Sequence, residues 1–186
     1  MVYVFLANGF EEIEAITPVD IMRRAGLSVL TVAVGTVGGS RVVVGSHGIP
    51  VTADICTCDV RYDDMEAVVL PGGQPGTDNL SASEEVRRAV LTAHENGAVV
   101  GAICAAPSIL GSLGLLAGRR AVSFSDYTGE LRGAAVENAP VVTDGKTVTA
   151  KAAGFALEFG HALTAVILDK EKADDVIDRA RDRYRA

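Results

Sequence analysis

Cys104 sits in "VVGAICAAPSIL", residues 99–110, where a strand-like apolar run meets two alanines and a proline. The stretch Ala102-Ile103-Cys104-Ala105-Ala106 fits the pattern small-x-nucleophile-x-small. A sharp strand-to-helix turn that exposes a nucleophile needs small residues two places to either side, because larger ones clash. Pro107 suits the first turn of a helix, so a helix is expected just past the cysteine, its positive end and free N–H groups favouring the thiolate. The alternative is a buried cysteine that acts only as a small hydrophobe.

Two other junctions carry residue types that would serve such a thiol. "LPGGQPGTDNL", residues 70–80, ends a strand-like run in glycines, which let backbone approach a ligand closely. The Gly73 N–H, with those of Cys104 and Ala105, is expected to form an oxyanion hole. In "NGFEEIEAITPVDIMRRAG", residues 8–26, a helical layout at about 100° per residue puts Glu14 on the arc of Ala15, Pro18, Ile21, Met22 and Ala25. Asp20, Arg23 and Arg24 face away. Burial raises a carboxylic pKa, and a protonated Glu14 beside Cys104 would donate to a thiolate or shuttle its proton. Two alternatives stay open: Glu11, Glu12 and Glu14 complement a helix N-terminus, or Thr17 caps a new helix at Pro18 and the arc does not run through the break.

These residues need elements to hold them. The runs "VYVFLA", "SVLTVAV", "EAVVLPGG" and "GAVVGAIC" are apolar on both faces and alternate with helix-like stretches, which predicts a parallel sheet covered on two sides. An open α/β sheet works beyond the carboxyl ends of its strands, where all three junctions lie. In "SASEEVRRAVLTAHENG" Ser81 and Glu84 read as a capping box, and Gly97 as the stop. Residues 41–54 read as extended chain with a turn, and "PVVTDGKTVTAK" as a hairpin about Asp144 and Gly145. An amphipathic helix in "GFALEFGHALTAVIL" and a charged one over 171–186 close the chain.

The chain has 186 residues, 48% of them hydrophobic and 22% charged, the composition of one globular domain over 1–186. No apolar run approaches the ~18 residues of a membrane span, and no leader is read at the N-terminus, so a cytoplasmic setting is expected. A net charge of −7 without a basic cluster argues against nucleic acid. Small molecules or proteins remain as partners.

In that order and spacing, "FEEIEAITPVDIMRRAG", "VVLPGGQPGTDNL" and "AICAAP", with "AAGFALEFG" downstream, resemble the DJ-one (ThiJ/PfpI) superfamily, its DJ-one/YajL-like branch in particular. The resemblance implies a flavodoxin-like three-layer sandwich of the class I glutamine amidotransferase type. It implies a homodimer, a reactive Cys104, its acidic partner Glu14 and an oxyanion pocket at Gly73. It also implies a cofactor-free function: methylglyoxal and glyoxal conversion of the glyoxalase III type, deglycation of early aldehyde adducts, chaperoning, or oxidative-stress sensing. The leading expectation is a cysteine-dependent enzyme acting on a small aldehyde or glycated adduct. A redox-sensing chaperone or binding protein without turnover, and a hydratase of another small electrophile, are the alternatives.

The chain departs from the family in its histidines, of which it has three, His47, His94 and His161. Ala105 follows Cys104 where the protease-like branch reads Cys-His, and Phe124-Ser125-Asp126 occupies the later region where other members carry a supporting histidine. His47 aligns with a position that approaches the partner subunit's cysteine, or is a loop residue in solvent. His94 is expected at the surface and His161 in packing. Cys56 and Cys58 lack the further ligands of a metal site, so none is expected.

Overall fold

The computed structural model describes residues 1–182. Strand β1 (Val2–Ala7) is buried along its whole length. Tyr3, Phe5 and Ala7 face one hydrophobic core, while Val2, Val4 and Leu6 face another. That is the burial of a strand covered on both sides, as its uninterrupted apolar run predicts. Helix α1 (Glu12–Arg24) and strand β2 (Val29–Val34) follow, then a hairpin of β3 (Val42–Val44) and β4 (Pro50–Thr52), and the short β5 (Ile55–Cys56). Next come β6 (Ala67–Leu70), α2 (Gly76–Ala82), α3 (Glu84–Glu95), β7 (Val99–Ile103) and α4 (Pro107–Ser112). The remaining elements are β8 (Arg120–Ala121), β9 (Ala135–Val136), β10 (Val141–Asp144), β11 (Thr147–Ala150), α5 (Ala156–Ile167) and α6 (Lys170–Ala180).

Seven strands form the main sheet in the order β10-β11-β7-β6-β1-β2-β5. Its pairings are parallel except that of β10 with β11, the edge hairpin expected about Asp144 and Gly145. Leu80 of α2, Val86 and Val90 of α3 and Leu110 of α4 pack on one face. Ala15, Val19 and Met22 of α1 and Phe159 and Leu163 of α5 cover the other. The result is the flavodoxin-like three-layer sandwich. β6 and β7 pair with Leu70 opposite Ala102. The residues two beyond each, Gly72 and Cys104, therefore leave the same end of the sheet side by side.

One local expectation changes and one alternative closes. The cap of α3 is Ser83, whose side chain accepts from the Val86 N–H, and Ser81 belongs to the preceding helix α2. Gly97, at φ +69°, does end the segment. Helix α1 runs unbroken through Pro18, so Thr17 caps nothing and the helical arc holds over its whole length. Close packing supports that continuity: a Cβ on Gly160 of α5 would meet Pro18 Cα at 3.1 Å and Ile21 Cβ at 3.2 Å. The charged terminal helix is present over Lys170–Ala180, and residues 183–186 lie outside the described residues.

Candidate active site

Cys104 has φ +64°, a left-handed conformation that costs a residue with a Cβ roughly 1–3 kcal/mol. Neighbouring backbone holds it there. Its N–H donates to Ala150 O of β11 at 2.9 Å, and its carbonyl accepts from Phe124 N–H at 2.8 Å. Pro107 is the first residue of α4, as expected. The strained turn between strand and helix has the elbow geometry that the small neighbours predict. One expected oxyanion donor is lost, however, because the Cys104 N–H is already spent on the sheet. The amides that face the sulfur are those of Ala105 and Gly73.

Glu14 comes to the elbow from α1, and only 1% of its surface is exposed. Its Oε2 accepts from the Gly72 N–H at 2.9 Å, and its carboxyl shares a hydrogen bond with the Cys104 thiol. Glu11, the cap of α1, accepts from the Glu14 N–H at 2.8 Å, and its own N–H donates to Gly72 O at 2.9 Å. The Gly72 residue is therefore gripped through both its N–H and its carbonyl. In a trans peptide N–H and C=O point opposite ways, so fixing Gly72 O toward Glu11 turns the Gly73 N–H away from it, toward Cys104. Gly72 must be a glycine: a Cβ there would stand 2.6 Å from Glu14 Oε2 and 2.7 Å from Cys104 Cβ. Gly73, at φ +90°, would drive a Cβ to 2.6 Å from Gly9 O. The sequence reading gave a role to Gly73 and none to Gly72, whose signal was its place as the first glycine of the pair.

Burial pushes the Glu14 carboxyl up to about 7. Burial, reinforced by the Glu14 charge and hydrogen bond, pushes the Cys104 thiol up to about 12, against the pull of the Ala105 and Gly73 amides. The expectation that a helix N-terminus would depress the thiol is overturned. α4 is only six residues long, and desolvation outweighs it. The two groups titrate as a unit that loses its first proton near pH 7 and keeps the second. That proton lies on sulfur or on carboxyl. Two amides face the sulfur and one faces the carboxylate, an arrangement that favours negative charge on sulfur when a reaction calls for it.

His47 is held within its own chain. Its Nδ1 lies 2.8 Å from Glu12 Oε2 and its N–H donates to Glu12 Oε1 at 2.8 Å, while its side chain stays 69% exposed. Burial would raise Glu12, but hydrogen bonds from the His47 ring, the His47 amide and the Ile49 amide overcome it and hold the carboxyl down to about 2. The hydrogen bond to Glu12, then its charge, raises His47 above its ordinary value. Among the described residues Glu11, Glu12 and His47 are the group of metal-ligating side chains whose ligand atoms lie within 4.8 Å of one another, and neither Cys56 nor Cys58 joins it. Cys56 is half-buried and Cys58 exposed. His161 Nε2 lies 2.7 Å from Asp174 Oδ1 and ties α5 to α6, while His94 is half-buried on α3.

A cleft of about 350 Å³ beside the elbow is lined by Phe124, Ser125, Pro140, Lys151 and Phe155. A larger one, about 460 Å³, lies between α5 and α6 and takes no residue from the elbow. Among the described residues no helix is long and apolar enough to cross a membrane.

The sequence and the fold are similar to those of known proteins. The family model described as DJ-1/PfpI family matches residues 1–166. The Arabidopsis thaliana protein named DJ-1 homolog A is 33% identical over 178 residues, which are 94% of this chain and 45% of the relative. The chain thus spans under half the length of that relative. A protein of Pyrococcus abyssi named a deglycase is 31% identical over 155 residues, 82% of this chain and 90% of its own length. Among solved structures, a DJ-1 superfamily protein of Salmonella typhimurium, crystallised as a cysteine-to-alanine mutant, superimposes with a TM-score of 0.89 at 37% identity and covers 97% of both chains.

Proposed function

Because this chain belongs to the DJ-1/PfpI family, we propose that it is a cofactor-independent enzyme of the glyoxalase III or deglycase type, one domain over residues 1–186, acting in the cytoplasm on small aldehydes or glycated adducts. The observation that carries this reading is the convergence of Cys104, at φ +64°, and the 1%-exposed Glu14 carboxyl on the Gly72–Gly73 turn. A relative named a deglycase, at 31% identity, supports the same reading.

The chemistry follows from the pair. With one proton between them, placed on Glu14, the Cys104 sulfur attacks the aldehyde carbon. The S–C bond forms, the carbonyl π pair moves to oxygen between the Gly73 and Ala105 amides, and the Glu14 proton passes to that oxygen. Glu14, now a carboxylate, is the base that accepts a proton from the adjacent carbon or from water in the following step. Steady-state turnover of methylglyoxal without added cofactor tests the reading, and a wild-type rate equal to background rejects it.

The same sulfur suits a second role, redox sensing. Amides that hold an aldehyde oxygen also hold an oxygen on sulfur, with protonated Glu14 as a donor to a sulfinate. When the shared proton sits on Glu14, Cys104 is a thiolate facing the Ala105 and Gly73 amides, so limited peroxide is expected to add two oxygens to the peptide containing Cys104 before it alters Cys56 or the more exposed Cys58. Peptide mapping by mass checks this, and earlier oxidation at Cys56 or Cys58 would count against an activated Cys104.

The working unit is proposed to be a homodimer. Ile13 and Ile16 of α1 are 54% and 39% exposed, and Val42, Val44 and Ile49 of the β3–β4 hairpin are 48%, 41% and 55% exposed. The hairpin is tied to the chain just before α1 by Gly9 N–H to Val44 O and Ser46 N–H to Phe10 O, both 2.8 Å. An apolar surface of that kind suits a second copy, and brings His47 toward the partner's site. Sedimentation at micromolar concentration is expected to give a dimer, and Ile13→Glu a monomer. A wild-type monomer removes the dimer and the role of His47 in it.

A further inference from the structure

The one proton that Glu14 and Cys104 share can sit on either, and only its seat on the carboxyl leaves a thiolate. Glu11 lies where it can decide between them. It is the cap of α1, and its Oε2 accepts from the Glu14 N–H at 2.8 Å. Its own N–H donates to Gly72 O at 2.9 Å while Glu14 Oε2 accepts from the Gly72 N–H at 2.9 Å, so both acids hold the same residue of the turn. Capping alone does not call for this side chain, because the residues that cap best are the shorter Ser, Thr, Asp and Asn. The Glu11 side chain is only 13% exposed, which sets a second carboxylate next to Glu14 in poorly solvated surroundings. The other ionisable side chains about the two acids are Cys104 on the elbow, Glu12 on α1 and His47 on the hairpin. His47 Nδ1 is 3.9 Å from Glu11 Oε1 and 2.8 Å from Glu12 Oε2, so Glu11 is the less neutralised of that pair. Like charges close together disfavour ionisation. Burial does most to keep Glu14 protonated, the Cys104 hydrogen bond opposes it, and the Glu11 charge adds to it. The charge that acts on the Cys104 thiol is that of Glu14 itself.

We propose that Glu11 is a positioning residue for the thiol–acid pair: its carboxylate, fixed on the Glu14 N–H beside the Gly72 peptide, places the shared proton on Glu14 and the negative charge on Cys104. This rests on the pair in the reading above and is independent of which electrophile the sulfur attacks. Glu11 touches no substrate and acts through Glu14.

The test is the rate at which iodoacetamide alkylates Cys104, followed by peptide mass, in the wild type, Glu11→Gln and Glu11→Asp from about pH 5.5 to about pH 9. Glutamine keeps the length and an acceptor for the Glu14 N–H but loses the charge, whereas aspartate keeps the charge and caps well. His47 is present in all three proteins, so its own titration is common to them. A neighbouring like charge of this kind is worth roughly half to one pKa unit, a three- to tenfold change in how the proton is shared. Glu11→Gln is expected to lower the plateau rate above about pH 7 by that factor and to move the midpoint down by about half to one pH unit. Near pH 5.5, where the pair holds both protons, the rate depends on the thiol alone and is expected to match the wild type within about twofold, which also reports an intact elbow. Glu11→Asp is expected to recover most of the plateau. An unchanged plateau in Glu11→Gln, an equal loss in Glu11→Asp, or the same loss near pH 5.5 overturns the role of Glu11 and leaves the aldehyde reading standing. No aldehyde is present in these measurements, so alkylation that behaves as expected in a protein that fails to turn over methylglyoxal removes the aldehyde reading alone.

Discussion

Methylglyoxal turnover is expected to fall to the uncatalysed background in Cys104→Ser and by roughly 10²- to 10⁴-fold in Glu14→Gln, the range that positioned acid–base groups supply. The serine hydroxyl is a far weaker nucleophile and cannot trade its proton with a carboxyl near neutrality. The glutamine keeps the shape of Glu14 and its acceptor for the Gly72 N–H, but it neither gives nor takes a proton. The wild-type rate is itself expected to be modest, since the thiol is pushed up to about 12 and no histidine assists. The pH profile has a definite sign. The reactive form is the pair with one proton, and the first proton leaves as Glu14 passes about 7. kcat/KM is thus expected to rise through pH 7 and level off above it. A rate unchanged in Glu14→Gln returns the residue to a helix-end role, and a profile that falls through pH 7 removes the one-proton form as the active one.

Stability is expected to move the other way. A buried carboxyl raised from 4.5 to about 7 binds its proton more tightly in the folded chain than in the unfolded one. Between those values the folded state holds more protons, so stability falls as pH rises, and the loss is complete above about 7. A shift of that size corresponds to about 3 kcal/mol. Chemical denaturation of wild type and Glu14→Gln at pH 4.5 and pH 8 should therefore show the difference between them swing by about 3 kcal/mol in favour of the variant. Other titrating groups, such as the Glu12–His47 pair, are common to both proteins and cancel. A pH-independent difference means that Glu14 ionises without cost. The active site would then be no strain on the fold.

Much of this site is written in local sequence. Small residues two places either side of Cys104 announce the elbow because the clash they avoid is local. Glu14 announces itself by sharing an arc with Ala15, Ile21 and Met22. What sequence concealed depends on partners far along the chain. Whether Cys104 or Ala105 offers its amide to the pocket is decided by Ala150, which takes the Cys104 N–H. That α1 runs on through Pro18 is seen only in the folded chain, where Gly160 of α5 packs closely against it. The thiol was expected to be depressed by a helix end, yet burial and the neighbouring carboxylate raise it, and neither is legible without the packed core. Ser81 and Ser83 both suit a cap. Only the presence of α2 up to Ala82 assigns the role to Ser83.

The bonds that shape the elbow also set when it appears. Glu14 reaches Gly72 across 58 residues of chain. The N–H and carbonyl of Cys104 are held by Ala150 and Phe124, both made after it. While the chain is still emerging from the ribosome, nothing imposes a left-handed conformation on Cys104 and nothing buries it. It is then an ordinary thiol on a flexible segment. Closing such long loops is costly in entropy and comes late in folding, after the local helices and the central strand pairs. The left-handed turn at Cys104 is thus expected to form only once β11 has docked, so a chain that ends before Ala150 is expected to carry the cysteine without the turn.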